Sequence, residues 1–391
     1  MTISFFSTLP MLVCFFWVIL LLINSKQSNL SKRFLAFFLS IAFINYLSHA
    51  IYFNFQYELY AFMENIWVFT SLAVYPLYAY YIRLLTKDTK INWKYVWIIL
   101  PSLILSLFSW ILYFAMSPSE KTIYIHNIMY HEPYPAGSPY PFIIELQNIK
   151  HILFKIIFVI QVFLCIYFGY RNILSYNKTI QNYYSDIGGK DLTPIKWLLS
   201  VFVFAAIVSM LSAIVGKSSF IDNKLLVILP AILHSSFLFG IGYVGYEQNF
   251  NIEHFHKDII NSEQKEKTQT AESRQKSSSD IKKEILSLLE KDKIFKNPDL
   301  RISDISLIAK TNRTYISNIV NDEFKKNFAD LINDYRIEYA EELLNNPKNK
   351  ELSIAEISEM SGFLSESSFY RVFKNKKGIS PGKYRKEIKN N

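Results

Sequence analysis

At 391 residues the chain has room for two or three domains; 51% of it is hydrophobic, 16% aromatic and 19% charged, and its formal charge is +9. A mean hydropathy of +0.14, with 32 Phe and 26 Tyr, excludes a disordered chain and points to a membrane protein. Cys14 and Cys165 both lie in apolar runs, which leaves no disulfide framework or cysteine-built metal site, and 11 glycines are too few for a glycine-rich nucleotide fold.

In chain order, the first 250 residues read as apolar runs at about 5–24, 34–56, 59–85, 94–116, 150–174, 195–215 and 225–246. Each approaches the ~20 residues a helix needs to cross a ~30 Å hydrocarbon core. No Lys or Arg precedes Lys26, so the first run lacks the basic start of a signal peptide and is read as a retained helix. With the N-terminus outside, inner loops hold 11 Lys/Arg and outer loops 4. The positive-inside rule favours that orientation, and an odd number of spans then puts the C-terminal part in the cytoplasm.

Inside these runs His49, Glu64, Lys155, Gln161 and His234 are polar. Ionisable groups in hydrocarbon are costly and default to a functional role, so His49, Glu64, Lys155 and His234 are candidates for sensing. The competing reading places them at an interface or in hydrogen bonds to neighbouring helices, with Glu64 near enough to its span end to snorkel. The outer loop 117–149 carries His126, His131 and Glu132, whose spacing matches no zinc motif. His254 and His256 fit an interfacial helix. No Ser/His/Asp or Cys/His arrangement is present, so neither an enzyme nor a metal site is expected.

Residues 249–280 are rich in Ser, Gln, Lys and Glu beyond Asn261 and read as a polar, partly helical linker. From 281 helical periodicity returns. Residues 281–370 carry a net −3, whereas the tip 371–391 carries +7, which suggests an anionic partner there.

This last segment contains two similar halves. In the first, Ser303 or Asp304 caps a helix with Ile305, Ile308 and Ala309 inward. A turn at Thr311-Asn312 follows, then a helix capped by Asn312 with Tyr315, Ile316, Ile319 and Val320 inward. In the second, Ser353 precedes Ile354, Ala355, Ile357 and Met360; the turn is Gly362-Phe363; Ser365 caps a helix carrying Phe369, Val372 and Phe373. Phe363, Phe369 and Phe373 are read as core. A helix over about 328–345 joins the halves, and Pro347 lies beyond its end. Helix, tight turn and helix, with Ala309 or Ala355 permitting a close crossing, is a helix-turn-helix pattern. Two copies on one chain can address consecutive major grooves, which recur every ~34–36 Å on one DNA face.

The run Gly362-Phe363-Leu364-Ser365-Glu366-Ser367-Ser368-Phe369-Tyr370-Arg371-Val372-Phe373-Lys374, followed by Gly378-Ile379-Ser380-Pro381 and Tyr384-Arg385, resembles the signature of AraC-type transcription regulators. Asn312-Arg313-Thr314-Tyr315-Ile316-Ser317 and Tyr335-Arg336-Ile337-Glu338, with Ala340 and Leu343-Leu344, fit the same pattern. The resemblance covers about 295–388 and implies sequence-specific binding of double-stranded DNA, without a cofactor. Carried over residue by residue, it makes Glu366, Ser367, Ser368 and Arg371 base-contact candidates in a recognition helix at about 365–375. In the first copy, at about 312–322, the equivalents are Arg313, Thr314, Ser317 and Asn318. Arg371 suits guanine O6 and N7, Asn318 suits adenine, and Lys374, Lys376, Lys377, Lys383 and Arg385 suit phosphates. The first copy departs from the pattern in its glycine-free turn and in Asn318, where a basic residue is frequent. Glu366 is acidic beside DNA.

The expected architecture is all-α: a seven-helix transmembrane domain over 1–248, a linker over 249–280 and a cytoplasmic double helix-turn-helix domain over 281–391. Expected partners are DNA, membrane lipid and a small-molecule or protein signal of unknown identity, and tethering would favour a homodimer. Two other classes stay open: a transporter or intramembrane enzyme fused to a DNA-binding reporter, and a membrane-anchored protein-interaction module.

Overall fold

The computed structural model describes residues 2–23, 30–135, 139–215, 220, 224–269 and 277–390; among them it is helical, with one isolated β-bridge between Tyr184 and Arg301. Two compact units emerge. One comprises 1–174 and 193–252, the other 175–192 and 253–391. This division departs from the linear expectation: residues 175–192, taken for an inner loop, and most of the supposed linker group with the C-terminal domain.

In the first unit the helices are α1 (Thr2–Ile23), α2 (Leu30–Phe53), α3 (Tyr57–Thr86), α4 (Leu100–Ala115), the short α5 (Pro118–Ile123), α6 (Phe142–Tyr183, whose last turns belong to the second unit), α7 (Thr193–Val215) and α8 (Lys224–Glu247). Seven helices among the described residues are long and apolar enough to cross a membrane, matching the seven expected runs with shifted ends. The largest shift is in α6, which starts at Phe142 and not near 150, because Pro141 opens the helix where its missing N–H costs nothing.

That shift relocates Lys150 from the outer loop into a helix. Its side chain is fully buried, with Nζ 2.8 and 3.0 Å from the Glu64 carboxylate oxygens; it also donates to the Tyr124 hydroxyl at 3.0 Å and to Ser109 Oγ at 3.2 Å. Ser109 in turn donates to Asn65 Oδ1 at 2.7 Å, and His151 Nε2 stands 3.4 Å from Glu64. Glu64 therefore does not snorkel: its neutralising partner comes from inside the bundle, the only place where a buried carboxylate can be both paired and hydrogen-bonded. His126 pairs with Glu132 at 3.0 Å, and no group of three potential metal ligands occurs among the described residues. Segment 124–130 packs on the α2–α3 turn, where Tyr130 donates to the Tyr52 carbonyl at 2.9 Å and Tyr52 to the Met129 carbonyl at 3.1 Å.

In the second unit the helices are α9 (Ile252–Gln269, its first residue in the other unit), α10 (Ser278–Glu290), α11 (Ile302–Ile308), α12 (Arg313–Glu323), α13 (Phe328–Asn345), α14 (Ile354–Met360), α15 (Glu366–Lys377) and α16 (Pro381–Asn390). Asn312 and Ser365 cap α12 and α15 as expected, accepting from the Tyr315 N–H at 2.8 Å and the Ser368 N–H at 3.2 Å. The joining helix α13 has the expected bounds. Phe363, Phe369 and Phe373 are buried with Ile337, Ala340, Leu343, Leu344 and Ile357 as the core of the second half.

Four details differ from expectation. Helix α11 begins two or three residues early, with Arg301 as its cap and Asp304 accepting the Arg301 N–H at 2.8 Å, so neither Ser303 nor Asp304 is the cap. Ile308 and Met360 are 48% and 42% exposed, because each seven-residue helix offers only about two turns and its last apolar residue falls past the packed face. Ala355 is exposed as well; the residue matching buried Ala309 is buried Ser361, whose hydroxyl bonds back to the Ile357 carbonyl at 2.7 Å and so needs no outside partner. Finally, the first turn places its left-handed residue at Lys310 (φ 52°), not at Thr311-Asn312; the second places it at Gly362 (φ 84°). A side chain in this region costs roughly 1–2 kcal/mol, less the entropy glycine would lose. Lys310→Gly should therefore stabilise the domain by about 0.5–1 kcal/mol, seen as slower amide exchange over 302–323; an unchanged or faster rate would show that the turn carries no strain.

Candidate nucleic-acid interface

Of the eight base-contact candidates, five present themselves to solvent at the starts of the two reading helices. Thr314 and Asn318 are exposed on α12, and Glu366, Ser367 and Arg371 on α15. Arg371 makes no ion pair among the described residues, so the solvated-cation geometry a base contact needs is present. Ser317 is half-buried, and its carbonyl and hydroxyl receive the Asn321 amide at 2.7 and 3.3 Å.

The remaining two candidates are held by the protein itself. Ser368 is buried and donates to Asp186 Oδ1 at 3.2 Å, while Asp186 Oδ2 accepts the Leu364 N–H at 3.3 Å. A Cβ on Gly188 would come within 2.6 Å of Ser368 Oγ, which shows how closely the 184–192 segment lies against the start of α15. On the other copy, Arg313 stands 3.6 Å from the Glu263 carboxylate, with its guanidinium carbon 5.6 Å from the Tyr183 ring centroid. Neither Asp186 nor Glu263 has a motif around it. The Ser-Asp-x-Gly-Gly run at 185–189 signals a turn in the sequence and nothing about its partner.

Arg336 explains why segment 184–192 stays in place. It is fully buried on α13, donates to the Phe295 carbonyl and the Asn297 carbonyl at 2.8 Å each, and reaches Ser185 Oγ at 3.0 Å. Burial pushes its guanidinium down to about 10, still charged at neutral pH, with Asp186 and Asp299 opposing the shift. Next to it the Ser185 N–H donates to the Leu300 carbonyl at 3.1 Å. Arg301 pairs with Asp258 at 3.1 Å, and Tyr184 donates to the same carboxylate at 2.5 Å.

The phosphate candidates divide in the same way. Lys374 is exposed and makes no ion pair among the described residues. Lys376 lies 2.6 Å from Asp334 and Lys377 2.5 Å from Glu341; Lys383 is exposed, 3.8 Å from Glu387. Arg385 donates inward to the Leu352 carbonyl at 2.7 Å, which ties the last helix to the start of α14's half. Among the described residues the +7 tip thus offers Arg371 and Lys374 on α15 and Lys386 on α16 as exposed cations without an ion pair, with Lys376 and Lys377 available only by exchange of partners.

Two short helices with a tight turn, repeated and joined by α13, define a double helix-turn-helix domain. The helix-turn-helix domain family matches residues 305–387. The Msm operon regulatory protein of Streptococcus mutans is 40% identical over 92 residues. That match covers 24% of this chain and 32% of the streptococcal protein. No solved structure matches the chain. The C-terminal domain is therefore similar to helix-turn-helix domains, in line with the resemblance its sequence carries.

Proposed function

We propose that the chain is a membrane-embedded, one-component transcription regulator. In this reading seven helices lie in the cytoplasmic membrane with the N-terminus outside, and they sense a signal. The cytoplasmic domain reads a specific DNA site through α12 and α15. The observation that carries the reading is the exposed, unpaired Arg371 on a helix whose start is fixed by the Gly362 turn and the Ser365 cap. It stands in a domain that matches a helix-turn-helix family and a protein named as an operon regulator. Selection of genomic DNA by the full-length chain in lipid nanodiscs tests it. One recurrent sequence should emerge, with affinity falling steeply as salt rises. Recovery of random sequence at every salt concentration would refute it, and full extraction of the chain from membranes by alkaline carbonate would refute the membrane half.

Coupling follows from the second unit. Residues 175–192 and 253–264 each follow an apolar helix in the chain, and their Asp186 and Glu263 hold Ser368 and Arg313. The described conformation is accordingly a restrained one, and a signal acts by withdrawing these segments from the reading helices. Asp186→Ala removes the two hydrogen bonds to Ser368 and the Leu364 N–H, of about 1 kcal/mol each, along with the local one from the Gly188 N–H; loss of one of the two suffices for a change of about fivefold. The variant should bind the selected DNA at least about fivefold more tightly by fluorescence anisotropy; equal or weaker binding would show that Asp186 restrains nothing.

A further inference from the structure

The first unit holds a partly open cavity of about 610 Å³ lined by α1, α2, α3, α6, α7 and α8. That is within the range of small-molecule sites, and its walls are the expected mixture of many apolar side chains and few polar ones. Phe154, Phe158, Phe202 and Phe237 supply apolar wall; Asn45, Tyr46, His49 and His234 supply polar points. The polar points are ordered. Trp67 Nε1 donates to His49 Nε2 at 3.1 Å. The Pro230 carbonyl, which can only accept, lies 2.7 Å from His234 Nδ1, so that nitrogen donates, and Ser209 Oγ lies 2.9 Å from Nε2. The Tyr46 ring sits between the two imidazoles, 5.9 Å from each centroid.

Lys155 also lines this cavity. It makes no hydrogen bond or ion pair among the described residues, whereas Lys150, one and a half turns earlier, is fully paired. Its side chain is exposed on α6 at the edge of the cavity. An ammonium beside so apolar a wall favours an anion as its partner, and no described residue supplies one.

We propose that the cavity binds an amphipathic molecule with an aliphatic or aromatic body and one anionic head, and that Lys155 neutralises the head. The site deepens the sensing role proposed above and rests on it: the ligand enters from the bilayer, its body fills the apolar walls, and its head meets a cation that lacks a partner. Phe154 and Phe158 flank Lys155 on the same helix, so the charge and the apolar surface that would grip the ligand move as one element.

The test uses the full-length chain in phosphatidylcholine nanodiscs, titrated with dansyl-undecanoic acid and with its uncharged methyl ester. The acid should bind saturably and at least about tenfold more tightly than the ester, the usual worth of a charge-assisted contact. Lys155→Met should remove that preference, and Lys155→Arg should keep it. Ala231→Trp, which fills the cavity, should abolish saturable binding of both probes. Equal affinity for acid and ester, or an acid preference that survives Lys155→Met, would overturn the proposal. Displacement of the acid by phosphatidylglycerol added to the nanodisc would identify the anion as the bilayer's own lipid; displacement by free fatty acid alone would identify a soluble amphiphile. Selected DNA is bound in parallel by each variant. Intact DNA binding without probe binding defeats this site and leaves the regulator standing, while loss of both in wild type defeats the regulator.

Discussion

Gly362→Ala should cost the second helix-turn-helix about 2–5 kcal/mol. Two effects add. Gly362 has φ 84°, where a Cβ costs roughly 1–2 kcal/mol. The new Cβ would also stand 2.5 Å from the Phe295 carbonyl oxygen and 2.7 Å from the Lys296 Cα, backbone atoms that cannot rotate away, and such overpacking costs about 1–3 kcal/mol. Hydrogen exchange over 366–377 in the full chain reads the effect, because local opening there reports the stability of the helix and its phenylalanine core. Protection should fall by roughly thirtyfold or more. Gly378→Ala provides the contrast: φ is 79°, but nothing lies within 4 Å of its added Cβ, so only the conformational part, about 1 kcal/mol, should be lost. Equal losses at both positions would mean that the close approach to Phe295 is not a real constraint.

Arg371→Ala should remove about 1–3 kcal/mol of discrimination at one base pair, a factor of roughly 5 to 150. Competition between the selected site and random DNA should then show the specific affinity dropping towards the nonspecific level. Lys374→Ala should behave differently, weakening binding to all sequences alike and lowering the salt slope by about one counterion. The two residues are both exposed, unpaired cations three positions apart on one helix. Only their sensitivity to sequence separates a base contact from a phosphate contact. If Arg371→Ala weakened selected and random DNA equally, Arg371 would be a phosphate residue and the specificity would lie elsewhere on α12 or α15.

Much of this molecule is legible in its sequence. Seven runs of apolar residues announce seven long helices because hydrocarbon-length apolarity is a property of composition alone. The caps Asn312, Ser353 and Ser365, the bounds of α13 and the phenylalanine core of the second half follow from local rules, in which a side chain bonds its own backbone or repeats at a helical period. The reading helices were legible for the same reason. Periodicity failed where helices were short: in α11 and α14 it could not tell the packed last turn from the exposed one, and it assigned Ile308 and Met360 inward.

Other features depend on which residues meet across long stretches of chain. Lys150 and Glu64 are 86 positions apart, and Asp186 and Ser368 are 182 apart. No local pattern encodes either meeting, since a lysine before an apolar run and an aspartate in a turn look the same whether solvated or paired. Lys155 was visible as a residue, but its meaning depends on a cavity that six helices line. Local hydrogen bonding and hydrophobic period thus determined the helices, their caps and the DNA-binding motif. The burial of charge, the restraint on Ser368 and Arg313, and the cavity were decided by tertiary packing, because desolvation acts only once distant segments exclude water together.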